Sequence, residues 1–182
     1  MLPLLAAATL PAQPLVEGKA DSAVRVVIYE DLQCSDCAAF RKMMDATLLP
    51  RFGARVAFEH RDFPLAKHAW ARKAAIAARH FAGIKPELGI AWRRYILERI
   101  PDTREAIIPV RIREFASLNG ADADRAVQSL GDRKLADAVE NDFQDGIARG
   151  VSRTPTIFVD GAPFIEPSTP DEIAEAIEKA LR

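Results

Sequence analysis

The sequence predicts an α/β fold in which a mixed sheet, laid down as β-α-β and completed as β-β-α, is interrupted by an all-helical insertion. Val24 to Tyr29 is an apolar, β-branched run broken only by Arg25, followed by a helical stretch and then a second alternating run. Roughly eighty residues of helical spacing come next. Period two then returns on either side of Asp160-Gly161.

At 182 residues the chain can form one domain with a substantial core, or a small domain carrying an insertion. The second is expected. Residues 1–17 read as a signal-like or disordered N-terminus, 18–64 as the first part of the α/β domain, 65–150 as the helical insertion and 151–182 as the second part. The hydrophobic share of 49% and charged share of 28% are those of an ordinary soluble protein. A net charge of −1 gives no general attraction to nucleic acid. Arg93 and Arg94 read as a solvated helix face rather than a phosphate-binding patch.

Met1 to Ala12 is apolar and small, and Leu4 to Leu10 has the character of a secretory h-region, yet no Lys or Arg precedes Lys19. The stretch is too short to span a bilayer. Export is favoured, because a pair of thiols kept as the sole cysteines suits an oxidising compartment.

Pro14 to Ala23 is polar and turn-rich, a lead-in without regular structure. Val24 to Tyr29 fits a strand buried in the centre of a sheet. Ser35 to Leu49 is helical, with Ala38, Phe40, Met43, Met44, Ala46, Leu48 and Leu49 apolar, and Pro50 is expected to end it. The methionines read as core filler. Val56 to His60 alternates as a second strand, and a connection of this length makes the two strands parallel.

After Asp62-Phe63-Pro64 the period becomes helical. Trp70, Ala74, Ala77, Ala78 and Phe81 share one face, with Gly83 placed as a C-terminal cap. Pro86 starts a helix carrying Leu88, Trp92, Tyr95 and Ile96, ending before Pro101. Pro109 starts another, with Ile112, Phe115 and Ala116 inward and Asn119-Gly120 as its stop. Asp122 and Asp132 are N-cap candidates for two more, the last bearing Leu135, Val139, Phe143 and Ile147 and closing at Gly150. Thr156 to Val159 and Ala162 to Ile165 then form a hairpin, since Asp160-Gly161 supplies the positive φ of a type I′ turn. Pro170 to Leu181 closes as an amphipathic helix with Ile173, Ala174, Ile177 and Leu181 on one side.

Cys34 and Cys37, the only cysteines, fall at the first strand-to-helix junction. At a helix N-terminus, unpaired N–H groups and the helix dipole favour an anion. Such placement lowers a thiol pKa from about 8.5 into the range of roughly 3.5–7.5 and makes Cys34 the nucleophile. Cys37, almost one turn on, is then the resolving thiol. A structural disulfide or half of a zinc site is the alternative, but a C-x-x-C loop constrains little chain, and zinc needs two further ligands. No Gly-rich phosphate loop, G-x-S-x-G elbow or paired catalytic carboxylates occur.

Three stretches carry a resemblance: Asp31-Leu32-Gln33-Cys34-Ser35-Asp36-Cys37 with Phe40, Arg61-Asp62-Phe63-Pro64-Leu65 with His68, and Gly150-Val151-Ser152-Arg153-Thr154-Pro155-Thr156 with Asp160-Gly161. Together, across roughly Gly18 to Arg182, they resemble the DsbA-like thiol:disulfide oxidoreductases, a thioredoxin fold with a helical insertion. The resemblance implies a cis Thr154-Pro155 bond packed against the cysteines, and an exposed Arg153-Thr154 backbone free to pair with an extended substrate peptide. It makes Ser35, Asp36, Arg153, Thr154 and Pro155 redox-tuning or substrate-binding residues. Gln33 and His68 are placed near the site.

Two departures affect the chemistry. Relatives carry a buried acid six residues before the first cysteine, where Ile28 stands here; Glu30 or Asp31 is the available substitute, and a slower resolving step is expected. Relatives that oxidise strongly carry a His between the cysteines, where Asp36 stands here. A like charge raises a thiol pKa, so Cys34 is expected to be less acidic, and the disulfide less oxidising, than in those relatives.

The implied activity is thiol-disulfide exchange with protein substrates, without metal or cofactor and outside the cytoplasm, the periplasm included. A membrane redox partner would reset the pair, and no nucleic acid or membrane span is involved. The alternative is a copper-handling module using both thiolates with His60 or His68. A binding domain that kept the fold without the activity ranks last, because both cysteines are present.

Overall fold

A computed structural model describes residues 14–165 and 169–182. The signal-like reading of Met1 to Ala12 lies outside the described residues. β1 (Leu15–Gly18), β2 (Arg25–Glu30), β3 (Ala57–Asp62), β4 (Thr156–Val159) and β5 (Ala162–Ile165) form one sheet in the order β1-β3-β2-β4-β5. β2 and β3 are parallel and the other neighbours antiparallel, the mixed sheet expected from β-α-β and β-β-α.

β1 corrects the reading of Pro14 to Ala23 as lead-in. It pairs Leu15 with His60 and Gly18 with Ala57, and closes one edge of the sheet. Only Leu15 of its residues is buried, so four residues carried too little apolar pattern to announce a strand. Gly18 has φ +80°, and a Cβ there would stand 2.5 Å from the Val56 carbonyl oxygen.

One face of the sheet packs on α1 (Ser35–Met43) and its continuation. Val26, Ile28, Phe58, Ile157 and Val159 meet Phe40, Met44, Leu48 and Phe52. Pro50 does not end this helix. A π-helical turn at Met44–Leu48, in which Leu49 N bonds back to the Met44 carbonyl, carries the chain unbroken into a final short α2 (Leu49–Phe52) that contains Pro50.

The insertion contains α3 (Ala71–Ile84), α4 (Pro86–Leu97), α5 (Ile108–Leu118), α6 (Ala123–Gln128) and α7 (Arg133–Ala148). The Asp122 and Asp132 carboxylates accept from backbone N–H groups of their own first turns. Gly83 lies inside α3 rather than capping it. The chain turns extended at Lys85, as the residue before Pro86 must. Phe81, Trp92 and Phe115 meet edge-on or tilted within 5.4 Å, and the Trp92 indole donates to the Ala74 carbonyl. The same apolar cluster takes in Leu32, Cys34 and Cys37, so the insertion forms the wall behind the cysteines.

α7 covers the other face of the sheet. Phe143 stacks on Phe63, and Gly146 lets the helix approach Phe63 and Tyr29 closely. Ile147, expected inward, is half exposed, because the stripe that faces the protein runs through Val139, Asp142 and Gly146. Asp160 and Gly161 both have positive φ in the β4–β5 turn. α8 (Pro170–Ala180) starts from a capping box between Thr169 and Glu172, and its Ile173, Ala174 and Ile177 join the α1 side of the core.

Arg93 is the clearest correction on polarity. Expected on a solvated face with Arg94, it is 1% exposed and donates to Glu30 and Asp62. Asp62 also accepts from Arg79, which bonds Asp142 of α7 in turn. A buried guanidinium survives only where carboxylates match it, and these strands supply them. Among the described residues, no helix is long and apolar enough to cross a membrane.

Candidate active site

β2 delivers the chain into a turn at residues 31–33, and Cys34 becomes the N-cap of α1, extended at φ −87° and ψ 125°. Asp31 organises this turn. Its buried carboxylate accepts from Gln33 N (2.7 Å), Leu65 N (2.7 Å) and His68 Nδ1 (2.8 Å), tying the cysteine loop to the segment after β3. Gln33 is fixed in turn, its Oε1 accepting from Trp70 N at 2.8 Å.

The two sulfurs have different surroundings. Cys34 keeps 7% exposure while Cys37 has none, so only the first can meet a partner chain. Cys34 Sγ lies 3.5 Å from the Thr154 carbonyl oxygen, and Asp31 N donates to Cys37 Sγ at 3.4 Å. The Thr154-Pro155 peptide bond is cis, and both residues are buried beside the exposed Arg153.

The Cys34 thiol is lowered to about 5. The largest cause is the hydrogen bond from the Cys37 thiol; it outweighs burial and is joined by the Cys37 backbone, Thr154 and the Asp36 backbone. The Thr154 hydroxyl is buried without a partner at hydrogen-bonding distance, near enough to favour the thiolate. Cys37 is pushed well above the ordinary thiol range, first by burial, then by Cys34 and by the charge of Glu30. The arrangement gives one accessible thiolate and one sealed thiol.

Asp36 is exposed at the start of α1, and its backbone N–H, not its carboxylate, figures among the main influences on Cys34. Solvent around the carboxylate explains why the upward push expected of it does not dominate. Ser35 is likewise exposed. Ile28 lies in the apolar core, while Glu30, two residues on, is the acid whose charge reaches Cys37. Glu30 is not free: its Oε1 accepts from His60 Nδ1 (2.6 Å) and Arg93 Nη1 (3.0 Å). His60 also bonds Glu17 at 2.9 Å through Nε2 and is raised; burial opposes that shift, and the two carboxylates overcome it.

Both histidines considered as metal ligands are thus held by carboxylates, His60 by Glu30 and Glu17, and His68 by Asp31. Among the described residues, no group of three or more His, Cys, Asp or Glu is placed to hold a metal ion. The structure brings together Cys34, Cys37 and the Thr154 carbonyl that precedes the cis bond to Pro155, with Gln33 and His68 joined through Asp31. Sequence reasoning missed the organising role of Asp31, although an Asp two residues before Gln33 is the ordinary signal of an Asx-turn. It also missed the buried Glu17–His60–Glu30 chain, since Glu17 sits on the unrecognised β1.

The thioredoxin family profile matches residues 11–179. The chain belongs to the thioredoxin family. Within it the protein is DsbA-like: oxidised BdbD from Bacillus subtilis superposes with a TM-score of 0.83 at 26% identity, over 92% of each chain. Wolbachia pipientis α-DsbA1 shares the fold, with a TM-score of 0.80 at 18% identity over 94% of this chain and 92% of that one. Disulfide bond formation protein D of Bacillus subtilis is 25% identical over 177 residues, 96% of this chain and 79% of that protein. The Na(+)/H(+) antiporter NhaA 3 of Salinispora tropica is 28% identical over 172 residues, 94% of this chain. The chain spans 25% of that antiporter's length, and 22% of the related antiporter of Herminiimonas arsenicoxydans.

Proposed function

We propose that this thioredoxin-family protein is a thiol:disulfide oxidoreductase that exchanges disulfides with protein substrates through Cys34-Ser35-Asp36-Cys37, outside the cytoplasm. The observation that carries the reading is the asymmetry of the pair: Cys34 is accessible with a thiol lowered to about 5, and Cys37 is sealed and held protonated.

In the reducing direction, the Cys34 thiolate attacks a substrate disulfide, one substrate sulfur leaves as a thiolate, and a Cys34–substrate disulfide forms. Cys37 gives up its proton and attacks Cys34 Sγ, which closes the Cys34–Cys37 disulfide and releases the second substrate sulfur with two electrons. Oxidation of a substrate dithiol is the reverse. Of the Arg153-Thr154 backbone expected to be exposed, only Arg153 is; Thr154 is buried against Cys34 and the Arg153 carbonyl already accepts from the Thr156 hydroxyl, so the segment at Arg153 is the edge beside which an extended substrate would pair. Because main chain carries that recognition, it tolerates many sequences. The name of one relative, a disulfide bond formation protein, supports the exchange reading, and a membrane redox partner would return the pair to its starting state.

Turnover in insulin reduction or in disulfide formation on a reduced polypeptide tests the reading. Activity lost in Cys34→Ser is expected. Tight stoichiometric Cu(I) binding by the reduced protein, with no turnover in either assay, overturns it in favour of metal handling.

A further inference from the structure

A cavity of about 360 Å³ opens at Gln33, in the loop that leads to Cys34, and is lined also by His68, Trp70, Ile100, Thr103, Arg104 and Glu105. It neighbours the cysteine-bearing loop on two counts. Gln33 immediately precedes Cys34, and Trp70 and Ile100 pack in the same apolar cluster as both cysteines.

The polar groups around this cavity are short of acceptors. Gln33 spends its carbonyl oxygen on Trp70 N, which leaves the amide NH2 as its uncommitted end. Thr103 donates its hydroxyl to the Arg99 carbonyl at 2.6 Å. The Glu105 carboxylate is matched by Lys73 Nζ at 2.8 Å, and His68 is matched by Asp31. Arg104 alone among these charges has no carboxylate partner among the described residues. Its Nη1 reaches only the backbone carbonyls of Pro101 and Thr103, at 3.2 and 3.4 Å.

We propose that this cavity, through Arg104 and the Gln33 amide, selects substrates that carry an acidic side chain close to the reacting cysteine. The inference rests on the oxidoreductase reading and names its substrate class. A carboxylate there gains a charge-assisted bond from a guanidinium that is otherwise under-used, while the apolar floor of Trp70 and Ile100 takes the stem of the side chain. A lysine at the same place meets Arg104 with like charge. Solvent access at Arg104 keeps the preference modest, about twofold to fivefold.

The test measures the rate at which the reduced protein is oxidised to its Cys34–Cys37 disulfide by symmetric disulfides of short peptides whose single cysteine is flanked by Glu, Gln or Lys, each turnover releasing two peptide thiols. Flanking charge changes the peptide thiol itself, so the readout is how the Glu:Lys rate ratio moves between wild type, Arg104→Gln and Arg104→Glu. The ratio is expected to fall in Arg104→Gln, to fall further or invert in Arg104→Glu, and to shrink for wild type at high salt. An identical ratio in all three proteins overturns the inference and leaves the oxidoreductase reading standing. No reaction with any peptide, the Gln peptide included, overturns both.

Discussion

The sulfur of Cys34 stands 3.5 Å from the carbonyl oxygen of Thr154, a residue 120 positions further along the chain. The helical insertion separates these residues in sequence, and the antiparallel pairing of β2 with β4 brings them back together. Cys34 follows the end of β2 and Thr154 precedes the start of β4, so the sheet register itself sets the contact.

The first consequence is a pH window. Because Cys34 titrates at about 5 in the fold, against an ordinary thiol value of roughly 8.5–9, its thiolate adds stability to the reduced protein that is complete above that ordinary value and is lost as pH falls toward about 5. The oxidised protein has no such group. Denaturant unfolding of both forms should show the reduced protein gaining on the oxidised one from about pH 5 upward, with Cys37 working against it only above the ordinary thiol range. Alkylation of Cys34 should be half-maximal near pH 5, and Cys37→Ala, which removes the largest cause of the shift, should move that midpoint up. A stability difference independent of pH contradicts this.

Asp36→His tests the residue between the cysteines. Replacing an exposed negative charge by a neutral or positive ring stabilises the Cys34 thiolate and makes the disulfide more oxidising. The exposure of Asp36 limits the shift to about fivefold in the glutathione equilibrium for each unit of charge changed, the effect of a unit charge near 4 Å in water. No rise in oxidising power means that the carboxylate plays no part.

Much of this was legible in the sequence because the relevant residues act locally. Asp160-Gly161 can form only a few turns, and Asp122 and Asp132 cap the helices that follow them. Cys34 and Cys37 announce themselves by being alone. What stayed hidden depends on partners distant in sequence. Arg93 reads as one of two surface arginines until Glu30 and Asp62 are seen to face it from neighbouring strands. Glu17 reads as a loop residue until β1 pairs with β3 and sets it against His60.

That buried histidine yields a stability signature of opposite sign. His60 is raised above its ordinary 6.5 by Glu30 and Glu17 in spite of burial, so its imidazolium adds stability that is complete below pH 6.5 and is lost as pH rises through the higher folded value. His60→Gln should lower stability most at acidic pH and flatten the decline on the alkaline side of 6.5. An equal loss at all pH values would show that His60 is neutral in the fold.

Two glycines should respond in opposite directions. A Cβ at Gly146 would stand 2.6 Å from Phe63 Cδ2 and 3.0 Å from Tyr29 Cδ1, both on buried rings, so Gly146→Ala should cost about 1–3 kcal/mol in chemical denaturation. Gly83 lies inside α3 with nothing within 4 Å of a Cβ, so Gly83→Ala should stabilise by about 0.5–1 kcal/mol. Equal effects at the two sites contradict the packing of α7 described above.

The most direct measurement is to trap the exchange itself. Cys37→Ser, reduced and mixed with a polypeptide that carries one disulfide, is expected to accumulate a one-to-one covalent adduct through Cys34, visible by mass and dissolved by reductant. Wild type should pass through that adduct to a closed Cys34–Cys37 disulfide, and Cys34→Ser should form neither. If Cys37→Ser forms no adduct while its Cys34 still titrates as a reactive thiolate, or if Cys34→Ser exchanges as well as wild type, the two sulfurs do not work as proposed.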